Sequence, residues 1–158
     1  MLDPFYLIVD SFAWLLRLLP LGVKTVQLRI KNQPTDEIIR QTQQAMALCA
    51  QHGATLILND YWQTAIDLGC DFVHLGQEDL AEADLAALRR ANVRIGVSTH
   101  TPEELETALR ARPDYVALGP IWPTLLKVMK YPPQGLARIG LWKKQIQAIP
   151  LVAIGGLT

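Results

Sequence analysis

Short runs of apolar residues recur along this chain, and each run ends in polar or charged residues. VQLRIK, LILND, RIGVST and YVALGP are clear examples. A parallel strand that is buried on both faces is a nearly continuous run of Val, Ile and Leu, about five or six residues long. The pattern therefore predicts seven strands, over residues 5–10, 25–30, 55–59, 72–75, 94–98, 115–118 and 151–154.

Amphipathic segments between these strands predict helices. Ser11 is placed to cap a helix over FAWLLRLL, and Thr35 begins a long helix that runs through residue 50. Shorter helices are expected over 61–68 and 83–90. The string TPEE, starting at Thr101, combines a cap, a proline at the first helical position and acidic residues that suit the helix dipole. Glycines are expected to end helices at Gly22, Gly53 and Gly69.

Strict alternation of strands and helices predicts a parallel sheet, either an open doubly wound sheet or a closed barrel. Polar residues follow nearly every strand, which favours the barrel, because an open sheet concentrates them at one switch point. The chain also lacks GxGxxG and GxxxxGK[ST] loops. The predicted fold is an α/β (β/α)8 TIM-type barrel, with residues 1–158 as one domain. Since seven strands are predicted and a closed barrel needs eight, the chain is expected to be truncated before its last β/α unit.

The composition of the chain narrows the range of functions and partners to be expected. The chain has 158 residues, of which half are hydrophobic, and its fifteen basic and fifteen acidic residues cancel. Zero net charge gives no reason to expect nucleic acid or an anionic membrane as a partner. The apolar stretch FAWLLRLLP is too short to span a bilayer. Two isolated cysteines indicate reduced thiols in a cytoplasmic protein, and a homo-oligomer is compatible with the sequence.

Charged and polar side chains gather where the strands end. Gln27, Arg29 and Lys31 lie two apart and so point to one face of a strand. Asp60 and Asp79 are carboxylates that could hold Mg²⁺, which bridges to phosphate oxygens. Each feature has a plainer alternative: a salt-bridge layer inside a barrel for the three polar residues, a helix cap for Asp60 together with Asn59, and a loop or cap position for Asp79.

Later strands end in a similar way. One ends in Ser98, and another opens into a Pro- and Thr-containing loop with Thr124 and Lys127. The last ends in Gly155 and Gly156, which would let backbone amides approach an anion closely. A solvated surface lysine and an ordinary turn are the plainer alternatives for Lys127 and the glycine pair. Two carboxylates together with several cations fit a metal and a phosphate, and so indicate an enzyme.

The residues carry a family resemblance. The strings VQLRIK, LNDYWQTAIDLGCDFVHLGQEDL, GVSTH, ALGPIWPTxxK, PPQGL and VAIGG occur in order between Tyr6 and Gly156, and the chain resembles the thiamine-phosphate synthase family. That resemblance implies a (β/α) barrel that condenses 4-amino-5-hydroxymethyl-2-methylpyrimidine diphosphate with a thiazole phosphate. The products are thiamine phosphate and pyrophosphate. It also implies that the diphosphate leaves first and that the thiazole nitrogen attacks the resulting pyrimidine-methyl cation.

The same resemblance implies roles for individual residues. The residues that would contact the pyrimidine diphosphate are Gln27, Arg29, Lys31, Asn59, Ser98 and Lys127. Of these, the catalytic residues would be Arg29, Lys31, Ser98 and Lys127. Mg²⁺ would be bound by Asp60 and Asp79, and the thiazole phosphate would be bound by Thr124 and Gly156. One departure weakens the expected phosphate grip of the sixth loop, since Leu126 stands where many members have a second hydroxyl.

Two alternative functions remain. A thiazole tautomerase-like isomerase shares the fold, but the histidine that it uses after the sixth strand is Pro120 here. A non-catalytic truncated remnant that binds the precursors is the second alternative, and the missing eighth strand argues for it. Binding of the pyrimidine diphosphate without turnover would indicate the remnant, whereas product formation would indicate the enzyme.

Overall fold

Seven strands alternate with helices in the described part of the chain, residues 2–123 and 131–157 of a computed structural model. The strands are β1 (Tyr6–Val9), β2 (Thr25–Leu28), β3 (Thr55–Asn59), β4 (Phe72–Leu75), β5 (Arg94–Thr99), β6 (Tyr115–Leu118) and β7 (Leu151–Ala153). Every predicted strand is confirmed, with bounds that agree to within two residues. Continuous apolar runs are thus sufficient to locate the buried strands of this chain.

Seven helices lie between the strands of the described residues. They are α1 (Phe12–Leu18), α2 (Thr35–His52), α3 (Trp62–Leu68), α4 (Gln77–Glu82), α5 (Leu85–Arg90), α6 (Pro102–Arg110) and α7 (Gly135–Ile146), and a 3₁₀ turn covers Leu19–Leu21. The hydroxyl of Thr101 accepts a hydrogen bond from the Glu104 amide at 3.3 Å and caps α6 as predicted. Ser11 occupies the N-cap of α1 without a side-chain cap bond. Glycines end helical segments in the left-handed conformation at Gly22, Gly53 and Gly69, as predicted.

The chain divides into two compact units. The first comprises the described residues up to His74 together with Ala83–Arg94. Its strands β1, β2, β3 and β4 pair in parallel and in chain order. Buried apolar side chains between the strands and α1 and α2 form its core, among them Leu15, Val26, Leu28, Ile38 and Ala45.

The second unit comprises Leu75–Glu82 and the described residues from Ile95 onward. Here β5, β6 and β7 are parallel and again follow chain order. The core of this unit includes Leu105, Val116, Leu118, Trp142 and Ile146. A doubly wound sheet reverses its strand order at a switch point, and neither unit shows such a reversal among its described residues. Strand order therefore agrees with the predicted barrel-type repeat of β/α units.

Two further observations concern membrane-spanning helices and the cysteines. Within the described ranges, no helix is both long enough and apolar enough to cross a membrane. Cys49 and Cys70 are free and buried, and burial raises the pKa of each thiol to about 11. Both thiols are therefore protonated at neutral pH and unreactive as nucleophiles.

Candidate active site

Gln27, Arg29 and Lys31 lie at the carboxyl end of β2, as predicted. Gln27 is buried, and its side-chain amide donates a hydrogen bond to the hydroxyl of Tyr6 at 2.9 Å. Arg29 follows the last residue of β2, and its backbone amide donates to the carbonyl of Val9 at 2.8 Å. Side chains become steadily more exposed along this row, from buried Gln27 through half-buried Arg29 to exposed Lys31. Arg29 and Lys31 thus place two positive charges at the carboxyl end of β2, while the side-chain amide of Gln27 is held in the interior.

Asp60 follows β3 directly and forms an ion pair with Lys31. Its backbone is held by a hydrogen bond from its amide to the carbonyl of His74 at 2.8 Å. The N-cap of α3 is Tyr61, and this helix has no side-chain cap bond. The carboxylate is therefore used toward Lys31 and not as a helix cap, so the helix-cap alternative for Asp60 is wrong. Asn59, the last residue of β3, is buried beside it.

His74 belongs to the same group of residues, although the sequence pattern does not single it out. It lies on β4, paired in register with Asn59. Burial lowers the pKa of His74 to about 4, with the charge of Asp60 opposing that shift and the charge of Arg29 adding to it. The imidazole is therefore neutral at physiological pH, and it lies within the electrostatic reach of both charged groups. Its place on an otherwise apolar strand is only a weak sequence signal, because a core histidine gives the same pattern.

Asp79 and Ser98 belong to the second unit. Asp79 lies in the first turn of α4 rather than at the tip of β4, because the strand ends at Leu75 and the helix begins at Gln77. Its carboxylate lies over Gly76, where an added Cβ would come 3.2 Å from Oδ2 of Asp79. Ser98 lies on β5 and is half-buried. Asp79 thus follows β4 at a distance of four residues, whereas Ser98 is the penultimate residue of β5.

Gly155 and Gly156 form a tight turn after β7. Both have left-handed backbones, with φ of +92° and +69°. A Cβ on Gly155 would meet Cα of Pro120 at 2.8 Å, and one on Gly156 would meet the carbonyl oxygen of Pro123 at 2.6 Å. The amide of Trp122 donates to the carbonyl of Gly155 at 3.0 Å. Conformation and packing both require glycine here, which fits an ordinary turn, and a phosphate contact by Gly156 stays a prediction.

A carboxylate, an imidazole and a phenol meet at His100, two residues after Ser98 in the chain. Oε2 of Glu104 accepts from the backbone amide of His100 at 2.7 Å and lies 2.8 Å from Nδ1 of the same residue. Oε1 of Glu104 accepts from the hydroxyl of Tyr131 at 2.6 Å, while the Tyr131 ring stacks on His100 at 4.4 Å between centroids. Burial acts to raise the pKa of Glu104, but the bonds from Tyr131 and His100 outweigh it and lower the pKa. The carboxylate is thus held ionised by its donors.

Three of the residues discussed at the sequence level lie outside the described residues: Thr124, Leu126 and Lys127. Among the residues that the structure describes, no three His, Cys, Asp or Glu side chains are grouped so as to hold a metal ion. Mg²⁺ needs no such group, because it keeps several waters and takes one or two protein carboxylates together with substrate phosphates. The carboxylates of Asp60 and Asp79 are the hard oxygen donors that suit this ion.

Parallel β/α repeats in chain order, with cations and carboxylates after the strands, define a class of protein. They are the features of (β/α)-barrel enzymes, whose active sites lie at the carboxyl ends of the strands. Comparisons with known proteins narrow the class. A family model described as "Thiamine monophosphate synthase" matches residues 5–158, and the chain belongs to this family.

Individual relatives agree with this assignment. The chain is 62% identical to the thiamine-phosphate synthase of Rhizobium etli, over 99% of its own length and 77% of the relative's. It is 48% identical to the thiamine-phosphate synthase of Photorhabdus laumondii, over 97% and 71% of the two lengths. The solved structure of a thiamine phosphate pyrophosphorylase from Pyrococcus furiosus superposes with a TM-score of 0.81 at 30% identity, covering 97% of this chain and 75% of that one. This likeness confirms the predicted fold class.

Proposed function

We propose that this chain is a transferase that condenses 4-amino-5-hydroxymethyl-2-methylpyrimidine diphosphate with a thiazole phosphate, giving thiamine phosphate and pyrophosphate. The observation that carries the proposal is the 62% identity to the Rhizobium etli thiamine-phosphate synthase over almost the whole chain. Both substrates are anionic small molecules. The cations after β2 suit substrates of that charge, and the carboxylates of Asp60 and Asp79 would suit them through a bound Mg²⁺.

The chemistry can be written as two steps. The bond between the pyrimidine methylene carbon and the diphosphate oxygen breaks first, and the leaving diphosphate takes the electron pair. The thiazole nitrogen then donates its lone pair to the pyrimidine-methyl cation, which forms the carbon–nitrogen bond of the product. The first step develops charge on the leaving group, so fixed cations aimed at that position lower its barrier.

The family resemblance assigns residue roles for this chemistry. Arg29, Lys31 and Lys127 would bind the diphosphate and stabilise its developing charge, and Gln27, Asn59 and Ser98 would position the pyrimidine substrate. Thr124 and Gly156 would contact the thiazole phosphate. Mg²⁺ held by Asp60 and Asp79 would neutralise negative charge on the leaving diphosphate. The two free, buried cysteines suit a reducing cytoplasm as the compartment.

The direct test supplies both substrates and Mg²⁺ to the purified chain and follows thiamine phosphate and pyrophosphate together. We expect equal amounts of the two products, and no product after the metal is chelated. An isomerase would instead change a thiazole substrate without using the diphosphate. A chain that binds the pyrimidine diphosphate but forms neither product would contradict the proposal and would support a precursor-binding role.

A further inference from the structure

Ser98 is held through its backbone by a side chain from another helix of the same unit. The side-chain amide of Gln77, at the start of α4, donates a hydrogen bond to the carbonyl of Ser98 at 2.6 Å. The same nitrogen lies 3.4 Å from the carbonyl oxygen of Glu104 on α6. One amide group thus ties the end of β5 to α4 and α6. A side-chain amide donates this bond, so the hold on the Ser98 carbonyl depends in part on the chemistry of residue 77.

Thr99, the next residue, is held from the opposite side of β5. Its hydroxyl donates to the carbonyl of Ala117 on β6 at 2.9 Å and accepts from the indole N–H of Trp142 on α7 at 2.9 Å. Both Thr99 and Trp142 are buried. Successive residues of a strand point to opposite faces, so fixing Thr99 in the core also fixes the direction in which Ser98 points.

His100 completes the segment 98–100. Its backbone amide donates to the Glu104 carboxylate, which also receives the hydroxyl of Tyr131. Consecutive residues are therefore tied by three separate groups: Ser98 by Gln77, Thr99 by Trp142, and His100 by Glu104. Restraint of this kind at every residue exceeds what a strand end needs, because ladder bonds already hold β5 beside β6. It is what a side chain needs when it must meet a substrate within a fraction of an ångström.

We propose that Gln77 and Glu104 are positioning residues for the reaction, which hold segment 98–100 so that the Ser98 hydroxyl meets the pyrimidine diphosphate. The proposal rests on the proposed function for its substrate. Neither residue needs to touch that substrate, since each acts through the backbone of the segment. Their removal should therefore matter only while Ser98 is present, a property that a purely structural residue would lack.

A double-mutant cycle tests this property. Gln77→Glu keeps the shape of the side chain but places a carboxylate oxygen against two carbonyl oxygens in place of the donor. We expect kcat/KM for the pyrimidine diphosphate to fall about tenfold, the scale expected when a positioned hydrogen bond is lost. In a Ser98→Ala background the same change should alter kcat/KM by less than about twofold. An equal loss in both backgrounds would overturn the proposal.

Matched control variants separate a loss of positioning from a general effect of the changed charge. Glu104→Gln should lower kcat/KM, whereas Glu103→Gln, the same change on the exposed neighbour in α6, should not. Gln145→Glu on the exposed face of α7 controls for the charge added at Gln77. Loss of activity in the control variants equal to that in the test variants would contradict a specific role for segment 98–100.

Amide hydrogen exchange supplies a readout that needs no turnover. The His100 amide, which donates to the Glu104 carboxylate, should exchange faster in Glu104→Gln and in Gln77→Glu than in the parent, at unchanged global stability. Unchanged exchange at residues 98–100 in both variants would overturn the proposal whatever the kinetics show. If the parent chain formed no thiamine phosphate, the proposed function would fail, and exchange would still decide whether these residues hold the segment.

Discussion

Asp60 has a backbone φ of +66°, in the left-handed region that non-glycine residues seldom occupy. Asp and Asn tolerate this conformation better than other side chains do. Strained backbone of this kind is concentrated at functional sites, where the surrounding structure holds it in place. Here the bond from the Asp60 amide to the carbonyl of His74 supplies that hold. The conformation turns the chain sharply after β3 while its carboxylate pairs with Lys31.

Asp60→Asn separates the charge of this residue from its backbone preference. Asn accepts the left-handed conformation, so we expect the melting temperature to change little. Thiamine phosphate formation should fall at least about 100-fold, because the proposed metal ligand and the partner of Lys31 are lost. Asp60→Ala should lose both activity and stability. Mg²⁺ titrations of product formation, with thermal unfolding alongside, measure the two effects. Asp67→Asn, at an exposed position of α3, is the control, and full activity in Asp60→Asn would remove Asp60 from the proposed metal site.

His74 predicts a dependence of stability on pH. Its pKa is about 4 in the folded chain, against an ordinary value of 6.5, because burial disfavours the imidazolium. Between these values the unfolded chain binds a proton that the folded chain does not. The free energy of unfolding should therefore fall as pH drops from 6.5 toward 4, by roughly 3 kcal/mol in total from this group. Above pH 6.5 the group contributes no such slope.

His74→Gln removes this titration. Urea unfolding of the parent and the variant at pH 7.5 and at pH 4.5 gives four free energies of unfolding. We expect the parent to lose more stability than the variant between the two pH values. Equal losses in the two proteins would show that His74 does not titrate in this way.

The chemistry at the strand ends could be predicted from sequence where side chains break an apolar run. Gln27, Arg29 and Asp60 stand out in this way, and the structure places each of them at or just after a strand end. His74 does not stand out, because a lone histidine on an apolar strand is more often a core residue. Gln77 was missed for a different reason: its role depends on which carbonyls lie across from it, and periodicity carries no such information.

At the scale of elements, strands β5 and β6 pack closely where a glycine on β5 pairs with a tyrosine on β6. Gly96 is the register partner of Tyr115, and a Cβ on Gly96 would come 1.9 Å from Cζ of the Tyr115 ring. Tyr115 is fully buried. Glycine in the interior of a strand is ordinarily unfavourable, so its presence here indicates close approach of a neighbouring side chain. The ring fills the volume that a side chain at position 96 would occupy.

Gly96→Ala should therefore destabilise the fold, by about 1–3 kcal/mol, because the Tyr115 ring must shift within a packed core. Replacement of Tyr115 by Leu in the same chain should recover part of that loss, and thermal unfolding measures both. Gly140→Ala on α7 is the control, since an added Cβ there meets nothing within 4 Å. A stable Gly96→Ala variant with unchanged melting temperature would contradict the packing described here.

The elements themselves were predictable to different degrees. Strands appear as uninterrupted apolar runs, and their bounds agree closely with prediction. Two helices, α4 and α7, were not predicted. The six residues of α4 follow β4 closely, and Asp79 was interpreted as a residue beyond the strand end and not as part of a helix. Helix α7 contains two glycines, which lower helix propensity, and it is stabilised instead by the burial of Trp142 and Ile146.

For the whole molecule, basic and acidic residues balance at fifteen each. A balanced chain has no strong overall field to attract an anionic substrate, so affinity depends on the particular cations that face it. Arg29 and Arg40 illustrate the contrast. Arg29 is half-buried after β2, within electrostatic reach of His74. Arg40 is exposed on α2 and pairs with Glu37, with Nη2 and Oε1 2.6 Å apart.

Arg29→Gln and Arg40→Gln remove the same charge from the whole chain. We expect Arg29→Gln to lower kcat/KM for the pyrimidine diphosphate about 100-fold or more, since a charge proposed to stabilise the leaving group is lost. Arg40→Gln should leave the kinetics unchanged. Steady-state kinetics at low and high salt measure both variants. Similar losses in the two would indicate a general field effect and would argue against a specific contact by Arg29.

Trp142 also gives the molecule an optical property. Of its four tryptophans, Trp14 and Trp122 are each 43% exposed, whereas Trp142 is 1% exposed and donates its indole N–H to Thr99. An indole in an apolar core emits at shorter wavelength than one in water, so Trp142 supplies the blue edge of the emission spectrum. Thr99 is the residue after Ser98. The fluorescence intensity of Trp142 at short wavelength should therefore change when a ligand binds at the end of β5. The chain thus contains its own fluorophore for titrating the pyrimidine substrate without a label.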